Sequence, residues 1–141
     1  MTLDTFKKLV DTSYFSVLLT DAEIDWPGPR IVYANKRFEE ITGYKLDEVI
    51  GKTPRILQGE NTNRETLLRV REALQKDEQF SGWTCNYRKD GSPFIMSWTV
   101  EPILVDGVKH FLAVQTDVTN GVAKTLEEIK NVQLHALAQM I

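Results

Sequence analysis

Two short turn signatures in the second half of the chain constrain its fold more than any other feature. Residues 89–91 read Lys-Asp-Gly and residues 105–107 read Val-Asp-Gly, and the Asp-Gly pair favours the left-handed backbone of tight hairpins. The segments beside them, 83–88, 94–103 and 110–118, are rich in aromatic and β-branched residues. The sequence therefore predicts three consecutive antiparallel strands at the end of the fold.

The first half of the chain alternates short strands with helices. Residues 17–20 and 31–33 are short apolar or β-branched runs, and the proline- and glycine-containing loop 26–29 separates them, so two further strands are predicted. Helices are predicted over 36–42 and around 46–50, because a glycine able to adopt a positive φ follows each segment. Helices mixed with an antiparallel sheet define an α+β fold class.

A longer helix is predicted to start at Thr62 and to run to about residue 75. Thr62 and Glu65 have the spacing of a capping box, in which a hydroxyl and a carboxylate satisfy each other's free backbone donors. Thr53 and Pro54 fit a second helix start, with threonine as the N-cap and proline at the first helical position.

Both ends of the chain have helical patterns outside the main domain. Residues 1–11 predict a short amphipathic N-terminal cap, residues 12–119 the main domain, and residues 120–141 a C-terminal helix. An apolar stripe, interrupted by Gln133, consists of Leu126, Ile129, Ala136 and Met140. Such a stripe predicts that the helix pairs with a second copy of the chain or packs on an exposed face of the sheet.

Composition favours one soluble domain and excludes several functions. The 141 residues carry a net charge of −3, and no basic cluster provides an electrostatic basis for binding nucleic acid. The apolar runs are too short to cross a bilayer and no charged leader follows Met1, so a cytoplasmic protein without a membrane partner is expected. One cysteine and two histidines at scattered positions do not predict a zinc site. No nucleophile stands with acid and base partners at a recognisable spacing, so no enzyme activity is expected.

Arg71 is the charged residue whose position is most informative. Together with Leu67 and Leu74 it falls on the apolar face of the predicted helix, where a guanidinium needs an anion. One interpretation is a stem that reaches solvent or a salt bridge within the fold. The other is a phosphate site shared with Arg55 and Arg64, since two guanidinium groups can hold a dianion from both sides.

Three amides, Gln58, Asn86 and Gln115, are predicted on a turn and on two strands. Each alone is explained by a core hydrogen bond or a solvated position, whereas together they are suited to binding the edge of a heterocycle. Cys85 precedes Asn86 and therefore points to the opposite face of the sheet. One face of the middle strand is a row of Phe94, Met96, Trp98 and Val100, which indicates core packing.

The order of several motifs resembles that of a PAS domain over roughly residues 12–119. The motifs are Asn35-x-x-Phe38-x-x-x-Thr42-Gly43-Tyr44, the run 51–59, Asn-Tyr-Arg-Lys-Asp-Gly at 86–91, and Asp-Val-Thr at 117–119. Within this family the chain is most similar to the light-oxygen-voltage (LOV) subgroup. Its run Pro-Arg-Ile-Leu-Gln-Gly-Glu-Asn-Thr-Asn-Arg at 54–64 parallels the LOV run that begins Cys-Arg-Phe-Leu-Gln-Gly. The resemblance implies a five-stranded antiparallel sheet with helices on one face.

The same resemblance implies a flavin site. Arg55 and Arg71 would bind the flavin phosphate, Gln58 and Asn86 would contact the polar edge of the cofactor, and Gln115 would lie near the flavin N5 and O4 atoms. These roles imply FMN as the cofactor, with FAD the less favoured alternative.

Three positions depart from the LOV pattern. Pro54 replaces the reactive cysteine, Thr53 replaces an asparagine near the phosphoribityl chain, and Met96 replaces a second asparagine that contacts the pyrimidine ring. Trp98 would lie on the ligand side of the sheet. The chain also resembles flavin-containing PAS redox sensors, which have no such cysteine.

Two functions follow from the resemblance. The first is a sensory module that binds flavin noncovalently and signals by photoreduction or redox change without a cysteinyl adduct, through residues 117–119 and the C-terminal helix. The second is a flavin-free PAS domain for dimerisation or for another ligand. Either would form a homodimer and act on an effector domain outside this chain.

Overall fold

The computed structural model describes residues 1–120 of the chain. The predicted C-terminal helix with its apolar stripe, and the homodimer contact assigned to it, lie outside the described residues. Among residues 1–120, no helix has both the length and the apolar character needed to cross a membrane.

A five-stranded antiparallel sheet forms the centre of the fold, as predicted. The strands are β1 (Ser16–Asp21), β2 (Ile31–Ala34), β3 (Phe80–Tyr87), β4 (Pro93–Val105) and β5 (Val108–Asp117). Their spatial order is β2-β1-β5-β4-β3, so β1 and β5 pair in the middle of the sheet. The chain passes from β2 at one edge to β3 at the other, and the segment between these strands covers one face.

The helices are α1 (Leu3–Val10), α2 (Lys36–Thr42), α3 (Leu46–Val49), a 3₁₀ helix over Pro54–Leu57, and α4 (Arg64–Gln75). Asn35 caps α2, and Gly43 ends it with a φ of 79°. Thr53 caps the 3₁₀ helix, with Pro54 at its start, as predicted.

The two hairpins also agree with the prediction. Asp106 and Gly107 join β4 to β5 with φ values of 53° and 71°, and Gly91 has a φ of 87° between β3 and β4. β3 begins at Phe80 and not at residue 83, because Gly82 pairs with Trp98 within the ladder and does not end it.

The predicted capping box at Thr62 is wrong. The N-cap of α4 is Asn63, whose Oδ1 accepts from the backbone N–H groups of Glu65 and Thr66. The Thr62 hydroxyl instead donates to the Cys85 carbonyl at 2.7 Å and accepts from the Gly59 N–H at 2.9 Å. Thr62 is therefore buried as a bridge between β3 and the turn before α4.

Two apolar clusters lie on opposite faces of the sheet, because side chains alternate along each strand. The inner cluster lies between the sheet and the segment that runs from α2 to α4, and it contains Phe38, Phe94, Met96 and Trp98. The outer cluster contains Phe6 of α1 together with Val17 and Leu19 of β1. The helix α1 therefore packs on the face opposite to α2, α3 and α4.

Candidate functional site

A cavity of about 500 Å³ lies between the inner face of the sheet, the 3₁₀ helix and α4. All five strands except β2 contribute to its lining. Its size falls within the range of cavities that bind small molecules and cofactors. Most of its wall is apolar and includes Leu18, Leu57, Leu67, Leu74, Val100, Phe111 and Ala113.

A short chain of polar side chains lines the sheet side of the cavity. The Trp98 indole N–H donates to Thr84 Oγ1 at 3.3 Å, and the Thr84 hydroxyl donates to Asn86 Oδ1 at 3.4 Å. The Asn86 Nδ2 group donates to the Met96 sulfur at 3.3 Å. Contacts of this length and a sulfur acceptor are weak hydrogen bonds. The Asn86 amide can therefore exchange them for a stronger contact with a ligand.

Gln115 extends this polar side from β5, and its amide oxygen is bound by Ser16. These two residues are direct cross-strand partners in the β1–β5 ladder. The fully buried Ser16 hydroxyl donates to Gln115 Oε1 at 3.0 Å. This bond occupies the amide oxygen, so the amide NH₂ is the group that Gln115 can direct to a ligand in the cavity it lines.

Three arginines, Arg55, Arg64 and Arg71, line the other side of the cavity. Arg64 Nη1 donates to Gln58 Oε1 at 2.9 Å. The Arg55 guanidinium donates to the Gly28 carbonyl and lies 5.4 Å from the centre of the Trp26 ring.

The contacts of Arg71 agree with both interpretations of its position on the helix, a salt bridge within the fold and a side chain available to a ligand. Its guanidinium forms an ion pair with Asp25 and donates to the Ile24 carbonyl at 3.3 Å. The same side chain lines the cavity. The Asp25 side chain is 73% exposed, so this ion pair is solvated and replaceable.

Six of the eight residues predicted for the site line this one cavity, namely Arg55, Gln58, Arg71, Asn86, Trp98 and Gln115. The other two do not. Thr53 is buried as the cap of the 3₁₀ helix, where its Oγ1 accepts from the Arg55 N–H at 3.2 Å. Met96 is fully buried behind the Asn86 amide.

Of the two remaining positions of interest, Pro54 lines the cavity and Cys85 does not. Cys85 is a free, partly buried thiol between Thr84 and Asn86, and it does not belong to the lining. This placement agrees with the prediction that Cys85 points to the opposite face of the sheet.

Three contributors to the site were missed at the sequence level. Thr84 lies two residues before Asn86, so strand alternation alone places it on the same face and could have identified it. Ser16 meets Gln115 only through strand pairing, and Asp25 meets Arg71 only through loop packing. No local pattern indicates either contact.

Comparison with known proteins gives a consistent result. The family described as PAS domain matches residues 16–120. A blue-light photoreceptor of Listeria monocytogenes is 36% identical over 118 residues, which cover 82% of this chain and 46% of that protein. A blue-light-activated histidine kinase of Brucella anthropi is 32% identical over 124 residues, which cover 86% of this chain and 25% of the kinase. The chain thus spans less than half the length of these curated relatives.

A solved light-oxygen-voltage domain, studied with a flavin analogue, has the same fold. It superposes with a TM-score of 0.74 at 30% sequence identity, and the match covers 92% of this chain and 96% of that one.

Proposed function

Because this chain belongs to the PAS domain family and to its LOV subgroup, we propose that it is a sensory module that binds flavin noncovalently. FMN is the proposed cofactor, and FAD is the less favoured alternative. One observation carries the proposal: an apolar cavity of about 500 Å³ has amides on one side and three arginines on the other.

The lining fits the parts of a flavin. The apolar walls suit the planar ring system, and the Asn86 and Gln115 amides suit its polar edge. Arg55 and Arg71 suit the phosphate, since guanidinium groups bind phosphate oxygens through charge-assisted hydrogen bonds. Thr53 and Met96 are not proposed to contact the ligand.

Flavin bound in this cavity would supply visible light absorption and redox chemistry. Pro54, which we propose replaces the reactive cysteine of other LOV domains, provides no thiol on the cavity wall. We therefore propose signalling by photoreduction or redox change without a cysteinyl adduct. Trp98 would donate the electron, and Gln115 would reorient its amide when the protonation of the flavin changes.

The module is proposed to be one part of a longer signalling protein. Its relatives include a histidine kinase of which it spans 25%. We propose that residues 120–141 form the output helix and a homodimer contact, and that no catalytic activity resides in this chain. A cytoplasmic location is part of the proposal, and it is compatible with the charged fraction of 26%, which is typical of water-soluble domains.

The second candidate is a flavin-free PAS module. The ion pair between Arg71 and Asp25 favours it, because this pair satisfies the arginine charge without a ligand.

Flavin content separates the two candidates. We expect about one flavin per chain after loading with FMN or FAD, because the cavity has room for one ligand of this size. The measurement is reversed-phase chromatography of the denatured protein's supernatant. A correctly folded chain that stays colourless after exposure to both cofactors refutes the flavin proposal and supports the flavin-free module.

Phosphate recognition is tested by comparing Arg71→Ala with Arg69→Ala. Arg69 is on the same helix, but it pairs with Glu65 on the exposed surface and does not line the cavity. We expect Arg71→Ala to weaken FMN by about thirtyfold and riboflavin by less than about twofold, since only FMN carries a phosphate. Arg69→Ala is expected to change neither affinity. Equal losses of FMN and riboflavin in Arg71→Ala would instead indicate that Arg71 holds α4 in place.

A further inference from the structure

One loop holds both arginines that we assign to the ligand phosphate. The loop joins β1 to β2, and its residues 24–28 contact both Arg55 and Arg71. Arg71 binds the Asp25 carboxylate and the Ile24 carbonyl, while Arg55 binds the Gly28 carbonyl. Among the described residues, Asp25 provides the only carboxylate in these contacts. Its two oxygens share a negative charge, so it resembles a phosphate more than the two carbonyl groups do.

The loop is folded against itself and against the cavity. Asp21 Oδ1 accepts from the N–H groups of Glu23 and Arg30, which fixes the two ends of the loop together. Within it, the Gly28 N–H donates to the Asp25 carbonyl at 2.7 Å. A Cβ atom at Gly28 would lie 2.3 Å from the Glu23 carbonyl oxygen, so only glycine fits this turn.

The loop also forms part of the cavity wall. Ile24 and Pro29, on either side of the turn, are among the lining residues. Asp25 is not among the lining residues, but its carboxylate pairs with the Arg71 guanidinium, which does line the cavity.

We propose that Asp25 is a specificity-determining residue that competes with the ligand phosphate for Arg71. This inference rests on the proposed function. A phosphate that binds Arg71 must either displace the Asp25 carboxylate or share the guanidinium with it. In the second case the carboxylate lies beside the phosphate and repels the dianion. A ligand without a phosphate leaves the ion pair intact. Asp25 thus lowers the affinity for phosphorylated flavins and has no effect on the neutral one.

The expected size of the effect follows from exposure. The Arg71 and Asp25 side chains are 38% and 73% exposed, so water and salt screen their attraction. We therefore expect Asp25→Asn to tighten FMN binding about threefold to fivefold and to leave riboflavin affinity unchanged. The asparagine keeps the size of the side chain and its oxygen acceptor, so the turn is preserved.

Glu23→Gln is the matched control. Glu23 belongs to the same loop and loses the same charge, but its carboxylate is not the one paired with Arg71. Binding of FMN and riboflavin to the wild type and both variants is measured by fluorescence quenching at low and at high salt. Unfolding midpoints in urea establish that the three proteins are equally folded.

The inference predicts tighter FMN binding in Asp25→Asn alone, with a gain that shrinks at high salt. Weaker FMN binding would overturn it, because Asp25 would then orient Arg71 for the phosphate. The same gain in Glu23→Gln would also overturn it, since net charge and not competition would be the cause. An equal change for riboflavin would overturn it in favour of a loop rearrangement. Folded proteins that bind neither ligand would refute the proposed function together with this inference.

Discussion

Replacing Asn35 with alanine should destabilise the fold far more than a helix cap normally does. The Asn35 side chain is 1% exposed and makes four hydrogen bonds to the backbone. Its Oδ1 accepts from the N–H groups of Phe38 at 3.1 Å and Val17 at 2.9 Å. Its Nδ2 donates to the carbonyls of Val10 at 2.8 Å and Phe15 at 3.0 Å. One amide therefore joins the end of α1, the start of β1 and the start of α2.

The cost of Asn35→Ala can be worked out from these contacts. Loss of the N-cap of α2 costs about 1 kcal/mol. The Val17 N–H then remains buried without an acceptor, which costs about 1–3 kcal/mol more. The sum is about 3 kcal/mol, before any contribution from the two carbonyls. For a chain of this size, such a loss lowers the melting temperature by roughly 10 °C.

Asn63→Ala provides the matched comparison, because Asn63 caps α4 on the exposed surface. It loses only cap bonds to solvated N–H groups, so a cost of about 1 kcal/mol is expected. Urea unfolding followed by tryptophan fluorescence and far-ultraviolet circular dichroism measures both variants. If Asn35→Ala costs no more than Asn63→Ala, the buried amide does not link the three elements energetically, and the argument fails.

Three further predictions concern acid stability, light and association. Burial opposes ionisation of Asp117, but hydrogen bonds from Thr119 and the nearby Arg88 charge outweigh it and lower the pKa of Asp117. The stabilisation that ionised Asp117 gives the folded state is therefore complete above the ordinary carboxyl pKa of about 3.9. It is lost as the pH falls through the lower pKa that Asp117 has in the folded protein. In urea unfolding, the stability difference between wild type and Asp117→Asn should be constant above about pH 5 and shrink below about pH 4. Under blue light, the bound flavin should bleach by photoreduction to the same extent in wild type and in Cys85→Ala, because Pro54 has no thiol and Cys85 lies outside the cavity. An adduct spectrum in the wild type that disappears in Cys85→Ala would contradict this prediction. Light scattering should find a dimer for the whole chain and a monomer for a truncation after Thr119, and two monomers would contradict the dimer contact proposed for residues 120–141.

The strands were predictable because their signals are local. Hairpin turns require particular residues, and alternation assigns each strand residue to a face. These rules place Asn86 and Trp98 on the inner face and Cys85 on the outer one, and the structure agrees. Helical spacing likewise brings Arg71 to the inner side of α4.

The wrong cap at Thr62 and the omission of Ser16 and Asp25 all involve contacts between distant segments, whereas Thr84 could have been found by strand alternation. Thr62 and Asn63 are both good N-cap residues, and sequence alone does not choose between them. In the folded chain the Thr62 hydroxyl donates to the Cys85 carbonyl, and Asn63 is therefore the N-cap of α4. Asp25 belongs to the same class, since its partner Arg71 is 46 residues away along the chain.

The two sides of the cavity are constructed differently, and this difference predicts how each one tolerates change. Asn86 pairs with Phe94 in the β3–β4 ladder, and Gln115 pairs with Trp98 in the β4–β5 ladder. Their separation is therefore fixed by two sets of backbone hydrogen bonds, and a one-residue slip in either ladder would turn one amide to the outer face. Arg71, by contrast, has a long side chain, and its guanidinium is paired with the carboxylate of one loop residue, Asp25. Recognition of the planar ring should accordingly be lost abruptly when the register of the sheet changes, whereas recognition of the phosphate should be adjustable in small steps by single charge substitutions around Asp25.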